Sequence, residues 1–261
     1  MDNFTTINTE IDTRGVVHLT LNRPEKKNAL SAQMIAELTE FAQTIDRQKS
    51  ARVVRLRGAG DVFCAGGDLD WMKVQINADR AGRMAEARKL AHMLQVMNEL
   101  PLPMIGAVHG GAFGGGIGMA CVCDVVIAAS GTKFGLTETR LGLIPATISP
   151  YVIARMGEGK ARRVFMSARI FSAAEAQALD LITDQVPAAQ LEARIEAEIA
   201  PYLKVAPGAV AASKSLARAL GPRIDAEVIE ETVKRLADTW EGVEAKAGID
   251  AFLSKSKAPW A

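Results

Sequence analysis

Residues 104–123 constrain this chain more than any other stretch. They contain no Asp, Glu, Lys or Arg. Such a run is about as long as a membrane-spanning helix, roughly 20 residues. Yet seven of its positions are glycine, namely Gly106, Gly110, Gly111, Gly114, Gly115, Gly116 and Gly118, and His109 interrupts it. So many glycines do not make a stable lipid-facing helix, because each costs helix propensity. The stretch therefore reads as a buried passage of strand, glycine loop and helix.

A chain of 261 residues with 49% apolar content is large enough to enclose that passage in a core. The formal net charge of +1 gives no global electrostatic case for nucleic acid or an anionic membrane. Three cysteines, Cys64, Cys121 and Cys123, are an odd count. The opening residues Met1-Asp2-Asn3-Phe4 carry neither a basic nor an apolar leader region. Both features suit a reducing compartment, and the cytoplasm is the expected location.

Hydrophobic periodicity places the elements around the passage. Val16 to Leu21 reads as a strand. Ser31 is a plausible N-cap for a helix bearing Met34, Ile35, Leu38, Phe41 and Ile45 on one face. Val53 to Leu56 is a second strand, broken by Gly58-Ala59-Gly60-Asp61. A helix over about 80–99 ends at Pro101 and Pro103. Met104–Val108 and Val125 to Ala128 are further strands. Beyond about residue 150 the strand signals fade and five helical patterns follow: 173–179, 191–203, 210–220, 226–240 and 243–253. Strands separated by helices predict an α/β half with parallel layers, followed by a helical tail.

Several chemistries lack their residues. His18, His92 and His109 are scattered, and Cys121-x-Cys123 has no second pair, so no metal site is expected. The glycine cluster contains neither G-x-G-x-x-G nor G-K-[ST], which removes the dinucleotide fingerprint and the P-loop. His109-Gly110-Gly111 faintly resembles a hydrolase oxyanion loop, but no serine stands in G-x-S-x-G.

Two glycine turns remain. One is Phe63-Cys64-Ala65-Gly66-Gly67-Asp68-Leu69; the other is Gly114-Gly115-Gly116-Ile117-Gly118, ahead of an apolar helix. Glycine lets backbone N–H groups approach a ligand closely, and a helix N-terminus offers unpaired donors. Two such turns aimed at one point make an oxyanion hole. Spacing alone leaves tight helix–strand packing equally open. Acid/base candidates near these turns are few; Glu138 lies in the short irregular stretch Phe134-Gly135-Leu136-Thr137-Glu138, just before the apolar run Leu141-Gly142-Leu143-Ile144-Pro145. Beside an apolar pocket its pKa would rise toward neutrality. A surface salt bridge with Arg140 is the competing reading.

Taken together, four segments resemble the enoyl-CoA hydratase/isomerase, or crotonase, superfamily. They are Leu21 to Leu30 (LNRPEKKNAL), Phe63 to Asp68, the Gly114 cluster through Asp124, and Phe134 to Pro145, several motifs in the right order within a resemblance that runs through nearly the whole chain. The resemblance implies a crotonase spiral of ββα units over residues 1–200, holding the CoA and catalytic sites. It implies a C-terminal helical trimerisation region over 201–261, and a homotrimer or a dimer of trimers. The implied ligand is an acyl-CoA thioester in a bent shape, with CoA as part of the substrate, no separate cofactor and no nucleic-acid or membrane partner. By motif position, Gly67 and Gly115 donate the two oxyanion-hole N–H groups and Glu138 is the acid/base. Lys27, Ala29, Ala65, Gly67, Asp68, Leu69, Asp70 and Gly115 lie along the CoA. Phe252 and Lys255 are loose counterparts of an aromatic and a lysine that reach CoA from a neighbouring subunit.

One position departs from the pattern. Two-carboxylate hydratases of the superfamily carry a glutamate where this chain has Gly118, twenty residues before Glu138 (138 − 118 = 20). A lone carboxylate at the second position resembles the Δ3,Δ2-enoyl-CoA isomerases. The segment Gly142 to Val152, followed by Ala161-Arg162-Arg163, resembles instead bacterial methylglutaconyl-CoA hydratases of branched-chain amino acid breakdown. Substrates of that kind carry a distal carboxylate, for which Arg140 or Arg155 is a candidate partner, but an arginine or lysine at the first position is common across the superfamily and a structural role stays ahead. Hydration of an α,β-unsaturated acyl-CoA is thus the leading expectation, isomerisation by Glu138 the alternative, and a non-catalytic acyl-CoA- or RNA-binding protein the third.

Overall fold

In the computed structural model, residues 4–45 and 50–261 are described; Met1, Asp2 and Asn3, where no leader was read, lie outside them. A large sheet organises the chain, built from β1 (Ile7–Ile11), β2 (Val16–Leu21), β3 (Val53–Gly58), β4 (Met104–Val108), β6 (Val125–Ala129) and β9 (Asp184–Val186), side by side in that order. β1 and β2 form an antiparallel hairpin; every later pair is parallel, as the alternation of strands and helices predicted.

The central strands β4 and β6 are covered on both faces, which explains why they read as continuous apolar runs, whereas the edge strands β1 and β9 do not. Successive side chains point to opposite faces. Val16, Val53, Ile105, Ala107, Ile127 and Ala129 pack on α8 (Leu191–Tyr202) through Leu191, Ile195 and Ile199, a four-residue stripe along that helix. Val17, Val54, Leu56, Met104, Val126 and Ala128 face the other way, into the main core with α1 (Ala32–Thr44) and α3 (Arg80–Asn98). Each fully buried aliphatic side chain contributes about 1.5–3 kcal/mol relative to exposure. Ser31 caps α1 as expected, its hydroxyl accepting from Met34 N–H at 3.2 Å.

A second layer turns the chain into a spiral. β5 (Gly111–Phe113), β7 (Lys133–Gly135) and β8 (Ile170–Ser172) form a small sheet, and single parallel bridges Leu30–Gly67 and Cys64–Ala112 extend it. Each turn therefore runs from a strand of the large sheet to an extended piece of the second layer, and then to a helix. This is the spiral of strand–strand–helix turns that the sequence resemblance implied.

The details correct several expectations. β1 precedes the strand read as first, and β3 runs through Gly58. Strands do not stop at residue 150, because β8 and β9 follow. Residues 69–77 form a helix, α2 (Leu69–Asn77), and α5 (Ser149–Met156) and α6 (Glu158–Phe165) fill the stretch after the apolar run.

The C-terminal part is helical: α9 (Pro207–Leu220), α10 (Ala226–Glu241) and α11 (Val243–Leu253). α10 lays Val233 on Ala87 and Ala91 of α3. α11 sets Ala245 and Ile249 on Leu143. Gly248 allows this docking, since a Cβ there would stand 2.6 Å from the Leu141 carbonyl carbon. α9 has no buried residue and leaves Leu216 and Leu220 exposed.

Candidate active site

The first glycine turn is locked by its neighbours. Leu30 N–H donates to Gly66 C=O at 2.7 Å and Asp68 N–H to Leu30 C=O at 3.1 Å. In a parallel ladder this leaves the intervening Gly67 with its own N–H facing away from Leu30. Cys64 is tied to the second turn, its N–H donating to Gly111 C=O at 3.1 Å while its C=O accepts from Phe113 N–H at 3.0 Å. Gly115 opens α4 (Gly115–Cys121), where the first N–H groups have no partner within the helix. Neither the Gly67 nor the Gly115 amide donates to another group among the described residues.

The two turns meet. A Cβ placed on Gly66 would stand 3.7 Å from Gly115 N, and one on Gly115 would stand 3.9 Å from Gly66 Cα. Gly66 has φ +96° and its Cβ would lie 2.8 Å from Phe113 C=O, so only glycine fits there comfortably. Side chains at these positions would separate the turns; their absence lets two free amides converge.

Glu138 reaches the same point. β7 pairs with β5, and Gly114 N–H donates to Gly135 C=O at 2.9 Å, so the turn after β7 is delivered beside Gly114. A Cβ on Gly114 would lie 2.8 Å from Glu138 Oε1. Oε2 is buried without a hydrogen-bond partner among the described residues. Burial pushes the carboxyl up to about 7. The alternative reading, a surface ion pair with Arg140, is not what forms: no such pair occurs among the described residues. Arg140 lines the same cavity at its exposed rim, whereas Arg155 donates to Cys123 C=O and lies outside it.

A cavity of about 870 Å³ joins these groups. All the residues expected along CoA line it: Lys27, Ala29, Ala65, Gly67, Asp68, Leu69, Asp70 and Gly115. Their side chains do different work. Asp68 caps α2, accepting from Asp70 N–H at 2.8 Å and from Arg23 at 2.8 Å. Burial alone would raise its pKa, but these bonds outweigh it and hold the carboxyl below its ordinary value. Asp70 is exposed and pairs with Lys26 and Lys73. Lys27 and Asn28 both take positive φ, and buried Asn28 fastens this loop to Ala59 and Val62 through its side-chain amide, at 2.8 Å each.

Sequence reading missed part of the cavity wall. Trp71 from α2 and Leu236 and Trp240 from α10 line it, with Phe252 from α11. Trp71 donates to Glu86 at 3.2 Å, and the Arg83 guanidinium stacks 5.4 Å from the Trp240 ring. The helical pattern of 226–240 was visible, but nothing local indicated that this helix folds back on its own chain. Phe252 thus reaches the cavity of its own chain, and Lys255 does not line it.

The arrangement offers two backbone donors for an oxyanion, one desolvated carboxylate near neutrality, and an apolar chamber. Residues 12–261 match the family model for enoyl-CoA hydratase/isomerase. The chain is 37% identical over 155 residues to an enoyl-CoA hydratase of Alternaria alternata, covering 59% of this chain and 50% of that one. It is 34% identical over 176 residues to the mitochondrial methylglutaconyl-CoA hydratase of Mus musculus, covering 67% and 55%. The chain thus spans about half the length of these two relatives. The crystal structure of an enoyl-CoA hydratase from Shewanella pealeana superimposes with a TM-score of 0.81 at 33% identity, covering 99% of this chain and 97% of that one.

Proposed function

The chain belongs to the enoyl-CoA hydratase/isomerase family, and from that premise we propose that it is a hydro-lyase adding water to an α,β-unsaturated acyl-CoA. The observation that carries the reading is the convergence of the Gly67 and Gly115 amides, which have no acceptor among the described residues, beside Glu138, whose Oε2 has no hydrogen-bond partner among them. The thioester oxygen sits between the two N–H groups. Ionised Glu138 takes a proton from water as the water oxygen bonds to the β-carbon. The double-bond electrons move onto the thioester oxygen, giving an enolate held by the two donors, at about 3 kcal/mol each by analogy with acyl transfer. Protonated Glu138 returns its proton to the α-carbon, so that hydroxyl and hydrogen together account for one water. A carboxyl near pH 7 serves both steps.

The methylglutaconyl-CoA hydratase relative and the segment Gly142 to Val152 support a branched acyl group. Isomerisation is the second reading, with Glu138 moving a proton from the α- to the γ-carbon. The absence of an acid at Gly118 favours it. Assembly as a trimer or dimer of trimers and a cytoplasmic location complete the proposal. Purified protein assayed with methylglutaconyl-CoA, crotonyl-CoA and a 3-enoyl-CoA separates the readings. Hydration of either 2-enoyl thioester is expected; turnover of the 3-enoyl thioester alone would sink the hydratase reading.

A further inference from the structure

Ile148 stands at the head of α5, 2% exposed, and lines the cavity. Its Cγ2 is 2.4 Å, and its Cβ 3.0 Å, from where a Cβ on Gly118 would be. Contacts under 3.0 Å are not tolerated, so any side chain at 118 would collide with the branched stem of Ile148. Gly118 itself is buried in α4, and its N–H donates to Gly114 C=O at 3.2 Å, one helical turn away. A side chain at 118 would therefore project into volume now filled by Ile148, a wall residue of the cavity that also holds Glu138.

We propose that Ile148 forms a matched pair with Gly118, its branched side chain filling with hydrocarbon the volume that an acid side chain at 118 would need. It rests on the proposed function for its chemical consequence: one carboxylate takes and returns the proton. The volume claim stands independently. Replacing one member of a matched pair is costly, and replacing both in compensating directions is less so.

The test is a double-variant cycle on the full chain. Gly118→Glu alone is expected to lower Tm by about 5–10 °C through overpacking. Ile148→Gly alone lowers it by opening a cavity. The combined variant is expected to melt above Gly118→Glu alone, and its pH profile on crotonyl-CoA to gain a second ionisation. If Gly118→Glu yields no folded protein, Gly118→Ala with Ile148→Ala supplies the same cycle, since the Cβ alone already collides. Additive losses in Tm would overturn the shared-volume claim. A combined variant that folds but keeps a single ionisation would overturn the reading of that volume as room for an acid in the site. Wild-type protein inert on every acyl-CoA would count against the proposed function while leaving the thermal cycle readable.

Discussion

Replacing Glu138 by glutamine should trade activity for pH-dependent stability. The carboxyl is raised from 4.5 to about 7 by burial, a difference of 2.5 (7 − 4.5). At 1.36 kcal/mol per unit, ionising it in the folded protein costs about 3 kcal/mol relative to the unfolded chain. The sign follows from proton counting. Below about pH 4.5 both states hold the proton and no penalty applies. Between 4.5 and 7 the unfolded chain has released the proton and the folded one has not, so stability falls as pH rises. Above 7 both are ionised and the full penalty is present. Glu138→Gln carries no charge, so it should gain on the wild type by about 1–3 kcal/mol between pH 4.5 and pH 8, the lower figure allowing for cavity water and the buried amide. Denaturant unfolding of both proteins at the two pH values measures it. In parallel, kcat/KM should fall about 10²–10⁴-fold. An unfolding difference that is identical at pH 4.5 and pH 8 would refute the desolvated carboxylate, and undiminished turnover would refute its role.

Gly114→Ala should keep the fold but displace the carboxylate, since the new Cβ would lie 2.8 Å from Glu138 Oε1 at φ +46°; kcat should fall more than KM changes. Trp240→Ala should extend the chain length accepted at the α10 end of the cavity, read as kcat/KM along a series of linear enoyl thioesters. Asp68→Asn keeps a weaker cap on α2 and loses the Arg23 ion pair, costing about 1–3 kcal/mol at pH 7. Because the Asp68 pKa is lowered on folding, that stabilisation belongs to pH values above its unfolded range and fades as pH falls. Urea unfolding at pH 7 and pH 3 should therefore show the gap between variant and wild type narrowing in acid.

What could be read from sequence follows from length and period. α1, α3, α8 and α10 carry several turns of apolar stripe, and Ser31 announces its helix. β4 and β6 are unbroken apolar runs because both sheet faces are covered there, and β2 and β3 each open on a buried valine pair. The strands β5, β7, β8 and β9 have three residues each, too few for any period, and exist because a neighbouring strand supplies the ladder. α2 was hidden because Asp68 was read as part of a ligand turn, while its carboxylate is the N-cap. At the site, Gly67, Gly115 and Glu138 were legible from motif order. Trp71, Trp240 and Ile148 were not, because their positions depend on which helices pack across the cavity.

The two donors of the proposed mechanism belong to the main chain, and heredity treats them differently from Glu138. Every codon except those for proline specifies an N–H at positions 67 and 115. A Cβ at Gly67 would meet nothing within 4 Å and one at Gly115 would meet the tip of Leu30 at 2.8 Å. Mutation at 67 can crowd the ligand without deleting the donor, whereas a side chain at 115 keeps its N–H but must displace Leu30. The electrostatic half of the chemistry is thus buffered against most single-nucleotide changes, and drift can reshape the chamber walls around it. The proton-transfer half rests on one codon, so lineages of this fold that change their reaction would be expected to do so through acids and their apolar neighbours, leaving the paired amides in place.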